Sequence, residues 1–278
     1  MLKIAIQGIE TSFHDVAAKK HFGNDIKLDE CMSFTDLCES LENDRCDYAV
    51  MAIENSIAGS LLQNYGLLQE YNFKIIGEVY LRIEMAMMAL PGQQISDIKT
   101  VQSHPIAIRQ CSKYLNALKN TTLLEKEDTA ACAQEISKKK LIGYAAVANI
   151  AAAEKFGLKV LASNIETNKN NFTRFVVLGK AAAQSSANKK ASLMFSLDHE
   201  QGSLAGVLNL FVEHQINLTK IQSVPIVGSP YKYNFHVDVE WTDYNSFQLA
   251  KKNIVSITEN FLVLGEYTHG DFDSIKNE

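Results

Sequence analysis

Two hydrophobic periods alternate along the first 180 residues. Leu2–Gln7 is a short apolar run that ends at Gly8, and Tyr48–Ile53 is nearly continuous, as in a strand buried on both faces of a sheet. Between them, 12–22 reads as a helix. Phe34, Leu37, Cys38 and Leu41 then mark one helix face, with Ser33 or Thr35 as its cap. After a long apolar segment, 73–90, the alternation resumes with a strand at 99–102. A helix is predicted over 105–118, with Pro105 in its first turn and Ile108, Cys111, Leu115 and Leu118 on one face. A second spans 129–139, and its lysine-rich end suits the helix dipole. A strand at 141–146, an alanine-rich helix to Phe156, and strands at 158–163 and 173–178 complete the series. Repeated strand–helix units predict an α/β domain, 1–180, with mostly parallel sheets.

The stretch 181–190, AAAQSSANKK, is small and polar and reads as a linker. The pattern beyond it, 191–278, is different. Leu193, Phe195 and Leu197 mark a strand, and Leu204, Val207, Leu208, Phe211 and Val212 a helix face. A strand follows at 217–226 and a turn at 228–230. Tyr231 to Trp241 then alternate with Lys232, Asn234, His236, Asp238 and Glu240, which predicts a strand with one wet face. A helix through Phe247, Ala250, Ile254 and Ile257 and a strand at 261–268 close the order βαββαβ, that of a ferredoxin-like α+β sandwich.

Composition narrows the function. Of 278 residues, 46% are hydrophobic and 21% charged, an ordinary globular balance. With 27 basic and 32 acidic side chains the net charge is −5, against a general nucleic-acid binder. No apolar run is long enough for a membrane span, and the opening MLKIAIQG reads as a strand, not a signal peptide. The expected location is the cytoplasm. Five cysteines without a CxxC pair fit buried free thiols in a reducing compartment. Seven scattered histidines, with no HxxxH or HxH, give no metal site, and no nucleotide or nucleophile-elbow motif is present.

Four polar clusters sit at strand ends: Gly8–His14, Glu54–Ser60, Ser103–Pro105 and Asn168–Phe175. Ligands in open α/β sheets bind beyond the carboxyl ends of strands, where helix N-termini present free N–H groups. Three clusters follow strands; the fourth precedes one and needs a crossover to reach the others. Each also has a purely structural reading. Ser12, Ser56 and Ser103 suit helix caps, His104 a turn, Glu54 a local ion pair and Arg174 a surface charge.

Taken together and in order, IENSIAGS, SHPIAIRQC, NNFTRFVVLG and GSLAGVLNLFVEHQINLTKIQS resemble prephenate dehydratase over essentially the full length. The tail resembles the ACT regulatory domain of that family. The resemblance implies a monofunctional, cofactor-free hydro-lyase converting prephenate to phenylpyruvate, with arogenate dehydratase or a non-catalytic amino-acid sensor as alternatives. It implies a periplasmic-binding-protein-like catalytic domain of two lobes, the second roughly 80–160, with a cleft between them. By similarity Thr173 serves the departing ring hydroxyl and Arg174 pairs with a carboxylate, while Ser103, Glu54 and His104 are further catalytic candidates. Ser12, Asn55, Ser56, Asn171 and Phe175 are the implied substrate-binding residues. The family's first motif carries proline and threonine where Ile9 and Ser12 stand, and glutamine where Ile106 follows Pro105.

The ACT resemblance implies phenylalanine as an allosteric ligand and a homodimer or homotetramer formed through the tail. Gly202, Ser203, Leu204 and Ala205 match one ligand motif, and Gln222 and Ser223 stand in the other, where Gln222 and Val224 replace a glutamate and an arginine. Asn217 and Leu218 complete the implied site.

Overall fold

Hydroxyl caps set the first helices. Ser12 accepts from the Asp15 amide, and Ser33 forms a reciprocal capping box with Asp36. The computed structural model describes residues 1–182, 185, 187–226 and 228–272. In chain order the first elements are β1 (Leu2–Gln7), α1 (Phe13–Phe22), β2 (Ile26–Cys31), α2 (Phe34–Glu42), β3 (Tyr48–Asn55), β4 (Gly59–Ser60), α3 (Leu62–Tyr71), β5 (Lys74–Arg82) and β6 (Ala86–Ala89). They continue with β7 (Thr100–Ser103), α4 (Pro105–Gln110), α5 (Ser112–Leu115), β8 (Thr122–Glu125), α6 (Thr129–Lys139), β9 (Tyr144–Ala148), α7 (Ile150–Phe156), β10 (Lys159–Ala162) and β11 (Phe172–Gly179). The last are β12 (Lys190–Ser196), α8 (Ser203–Glu213), β13 (Asn217–Pro225), β14 (Tyr233–Glu240), α9 (Tyr244–Val255) and β15 (Glu259–Tyr267).

The chain divides into two compact units. Met1–Gly59, Val79–Phe175 and the segment from Phe272 form one; Ser60–Glu78 and Val176–Asp271 form the other. The first holds two lobes, each built on its own sheet. One sheet has the order β2-β1-β3-β11-β5, with β4 paired to β3; the other has β10-β6-β9-β7-β8. The long apolar segment 73–90 is thus two strands, β5 in the first sheet and β6 in the second. The chain crosses back between β10 and β11. The two crossings lie side by side, with Ile83 N donating to Asn171 O at 2.7 Å and Ile165 N to Met85 O at 3.0 Å.

Both sheets are mixed, where the sequence suggested mostly parallel pairing. β1 is parallel to β2 and β3, and β7 to β8 and β9, but β6 is antiparallel to both β9 and β10. The end of β3 meets the start of β11, where Ser56 N donates to Phe172 O at 2.8 Å, so these strands also run in opposite directions. A chain that crosses between lobes re-enters a sheet from the far end, which forces this reversal. The predicted helix 105–118 is broken at Cys111, whose φ of −99° and ψ of 12° end α4 and start α5. The predicted strand 141–146 lies two to three residues later, as β9.

In the second unit β12, β13, β14 and β15 form an antiparallel sheet in the order β13-β14-β12-β15, the ferredoxin-like topology. β12 begins at Lys190, inside the predicted linker, of which residues 183, 184 and 186 lie outside the described residues. One face of the sheet buries Phe195, Val237, Val239 and Trp241 against Phe211 and Phe247 of α8 and α9. The opposite face is not wet. Asn234, His236 and Asp238 are all buried there. The sequence had no cover for this face; the structure supplies it from 60–78, far upstream. The Tyr65 ring of α3 stands edge-on to His236 at 4.8 Å, and Asn234 Nδ2 donates to Gln69 Oε1 at 2.9 Å. Lys190 meets Glu78 at 2.9 Å with both side chains almost wholly buried. Ser192 bridges Asp238 and Tyr267.

Candidate active site

The strand reversal brings two predicted clusters together. Asn55, the last residue of β3, turns its amide oxygen to the backbone N–H groups of Ile57 and Ala58, at 3.0 and 2.8 Å. That fixes the direction of the amide. Its nitrogen then donates to Asn171 Oδ1 at 2.8 Å and to Thr173 Oγ1 at 2.9 Å. Thr173 therefore receives a hydrogen at its oxygen and keeps its own proton for another acceptor. Asn171 is fully buried, and its Nδ2 has no protein partner. Ser56 closes the cluster, accepting from Phe172 N at 2.9 Å and donating to Asn170 O at 3.1 Å.

A second group forms where the lobes meet. The loop after β1 places Gly8 (φ 94°) against Asp128, the N-cap of α6; a Cβ on Gly8 would lie 2.6 Å from Asp128 Oδ2 and 3.2 Å from Ser12 Cβ. In the same loop Thr11 holds a φ of 73°, rare for a β-branched residue, and its buried hydroxyl has no hydrogen-bond partner. Glu10 reaches across to Lys155 of α7 at 2.8 Å. Burial lifts the Asp128 carboxyl above the usual carboxylate range, against hydrogen bonds from the start of α6. Asp128 faces His104, whose Nδ1 accepts from Ile106 N at 3.2 Å and caps α4; burial lowers its basicity despite Asp128. Sequence reasoning missed Asp128, whose only signal was that of a helix cap before Thr129.

The other candidates are placed differently. Ser103 is fully buried at the end of β7 and spends its proton on Val147 O at 2.6 Å. Phe175 is sealed in the core, edge-on to His14 at 5.0 Å. Arg174 is buried too, and strand alternation sends it to the face of β11 opposite Thr173 and Phe175. Glu54 is half-buried at the end of β3. Among the described residues no group of His, Cys, Asp and Glu is arranged to hold a metal ion.

The sequence profile of the family described as prephenate dehydratase matches residues 4–183. The chain belongs to the prephenate dehydratase family. It is 34% identical to arogenate dehydratase/prephenate dehydratase 2 of Arabidopsis thaliana, over 96% of this chain and 72% of that protein. Among solved structures, the prephenate dehydratase of Arthrobacter aurescens in complex with L-Phe has a TM-score of 0.85 at 26% identity, covering 96% of this chain and 90% of that one. GqqA, described as a novel type of quorum quenching acylase, has a TM-score of 0.87 at 26% identity, covering 98% and 99%.

In this dehydratase-family chain the tail candidates fall into two groups. Gly202 (φ 89°) caps α8, followed by Ser203, Leu204 and Ala205 in its first turn. β13 runs back along that helix, so Gln222 and Ser223 lie toward the same end, while Asn217 and Leu218 lie beyond its far end. An 11-residue helix separates the groups by roughly 15 Å.

Proposed function

We propose that this protein is a prephenate dehydratase: it converts prephenate, with one proton, to phenylpyruvate, carbon dioxide and water. The carboxylate on the ring carbon leaves as carbon dioxide, its bonding electrons enter the ring, and the C–O bond on the opposite carbon breaks. Aromatisation drives the step; the barrier lies in hydroxide departure. Asn55 is the observation that carries this reading. Its locked amide saturates Thr173 Oγ1 from one side and leaves the hydroxyl proton to stabilise the departing oxygen. Asn171 Nδ2, buried and unpaired, is a second donor beside it. Ser56 shapes the turn that presents Thr173, and Ser12 holds the start of α1. Ser103, through Val147 O, and Phe175, against His14, hold the strand ends in place.

The decisive assay mixes the purified protein with prephenate and follows phenylpyruvate. Product from the parent chain and a large loss in Thr173→Ala support the reading. No product from the parent overturns it.

We also propose that the tail is an ACT domain that binds phenylalanine and pairs copies of the chain. The L-Phe complex of a structural relative supports the ligand. The two candidate groups are a helix length apart within one chain, so a second copy is needed to bring them into one site. Five free, buried cysteines support a cytoplasmic location. In the described residues no helix is long and apolar enough to cross a membrane.

A further inference from the structure

We propose that Asp128 is a specificity-determining residue that lets this site accept arogenate, the aminated counterpart of prephenate, by receiving a hydrogen bond from its ammonium group. The inference rests on the dehydratase reading above and deepens it. The two substrates share the ring, the ring hydroxyl and both carboxylates. They differ only in the side chain, which carries a ketone in one and an ammonium in the other.

Three observations converge. First, the two oxygens of Asp128 face different ways. Oδ1 accepts from Ala131 N at 2.6 Å and caps α6, while Oδ2 is turned onto Gly8, where even a methyl group would collide with it. Second, the loop it faces carries the buried hydroxyl of Thr11, which has no partner in the protein and supplies a further acceptor for an N–H group. Third, the spacing suits the molecule. The register Ile4↔Tyr48, Ala5↔Ala49 and Ile6↔Val50 sets Gly8 level with Ala52, three residues short of Asn55, and Thr173 lies one strand beyond. Strand spacing and rise then put the Gly8 and Thr173 backbones roughly 14 Å apart. A ring with its hydroxyl at one end and a three-carbon side chain at the other covers that span with a hydrogen bond at each end.

The electrostatics favour the amine. Burial lowers the basicity of His104 against the pull of Asp128, which weakens it as a cationic partner for that carboxylate. A half-buried carboxylate is costly to charge, and an ammonium partner offsets that cost. The ketone of prephenate offers no donor to Asp128, and the side-chain carboxylate, common to both substrates, does not discriminate between them.

The test measures kcat/KM for arogenate and prephenate with the parent chain, Asp128→Asn and Asp128→Ser. Serine keeps the helix cap, so a fold lost in one variant is checked by thermal melting against the other. The expected result is turnover of both substrates by the parent and an arogenate-to-prephenate ratio at least tenfold lower in both variants, with the loss in the KM for arogenate. A ratio unchanged within twofold overturns the proposal. Turnover of prephenate alone by the parent also overturns it and leaves the dehydratase reading intact. Turnover of neither substrate rejects both.

Discussion

Asn55 and Thr173 are separated by 118 residues of chain and by 2.9 Å of space, amide nitrogen to hydroxyl oxygen. The direction of that hydrogen bond sets the chemistry available to the threonine. With the Asn55 amide as donor, the Thr173 proton points away from it. Asn55→Ala removes the donor and leaves Asn171 Oδ1 unpaired in a buried place. Steady-state assays should show kcat lower by about 10²-fold with a much smaller change in KM. Asn55→Asp should be no better, because a carboxylate accepts from Thr173 and captures the proton that the proposed reaction directs to the departing oxygen. Full activity in Asn55→Asp would show that the direction of the bond is irrelevant.

Two buried histidines make stability depend on pH. Burial lowers His14 to about 3 and His236 to about 4. Both values lie below the unfolded value of about 6.5, so the folded state resists protonation. Their contribution is complete above pH 6.5. It falls as pH drops below 6.5, by about 1.4 kcal/mol per pH unit for each histidine, until the folded form also protonates. Urea unfolding at pH 7, 6 and 5 should show this slope, and His236→Gln should reduce it. An unchanged slope in that variant would mean that His236 titrates freely in the fold.

Lys190 and Glu78 form an ion pair with 3% and 0% of their side chains exposed. Lys190→Met removes the cation from a buried carboxylate that still accepts from Gly270 N at 2.9 Å, so chemical denaturation should register a loss of about 3–5 kcal/mol. Lys190→Met combined with Glu78→Leu should recover most of it, since an apolar pair has no uncompensated charge. Equal losses in the single and double variants would contradict the account.

Gly265 of β15 lies against the backbone of β5. A Cβ there would sit 1.9 Å from the Ile75 carbonyl oxygen, a distance no rotamer change relieves. Gly265→Ala should therefore cost about 3 kcal/mol or more. A melting temperature within a degree of the parent would refute the close approach.

What the sequence made legible was local. The caps at Ser12 and Ser33, the helix Thr129–Lys139 and the alternation of Tyr233–Glu240 were all written in neighbouring residues. α3 escaped notice because LQNYGLLQEY has little apolar periodicity, and its N-cap, Leu61, has no capping side chain. β2, IKLDEC, hides among charges at a sheet edge. The mistaken wet face of β14 has the same origin: polarity shows in a sequence, but the tyrosine that covers His236 lies 171 positions upstream. At the site, Thr173 and Asn55 were nameable from a family likeness. That one aims the other came only from the reversal of β11, which no single stretch encodes. Asp128 looked like any helix cap until the fold set Gly8 against it.

Residues 60–78 follow directly on the Asn55–Gly59 turn, yet their partners are Asn234, His236, Lys190 and Gly265. The polypeptide is interlaced rather than strung as beads. A fragment ended at residue 180 would carry a helix and half a strand stripped of their seat, and an isolated tail would bare a layer of unsatisfied polar groups. Swapping this tail for that of another enzyme, by graft or by recombination, can succeed only if 60–78 travels with it.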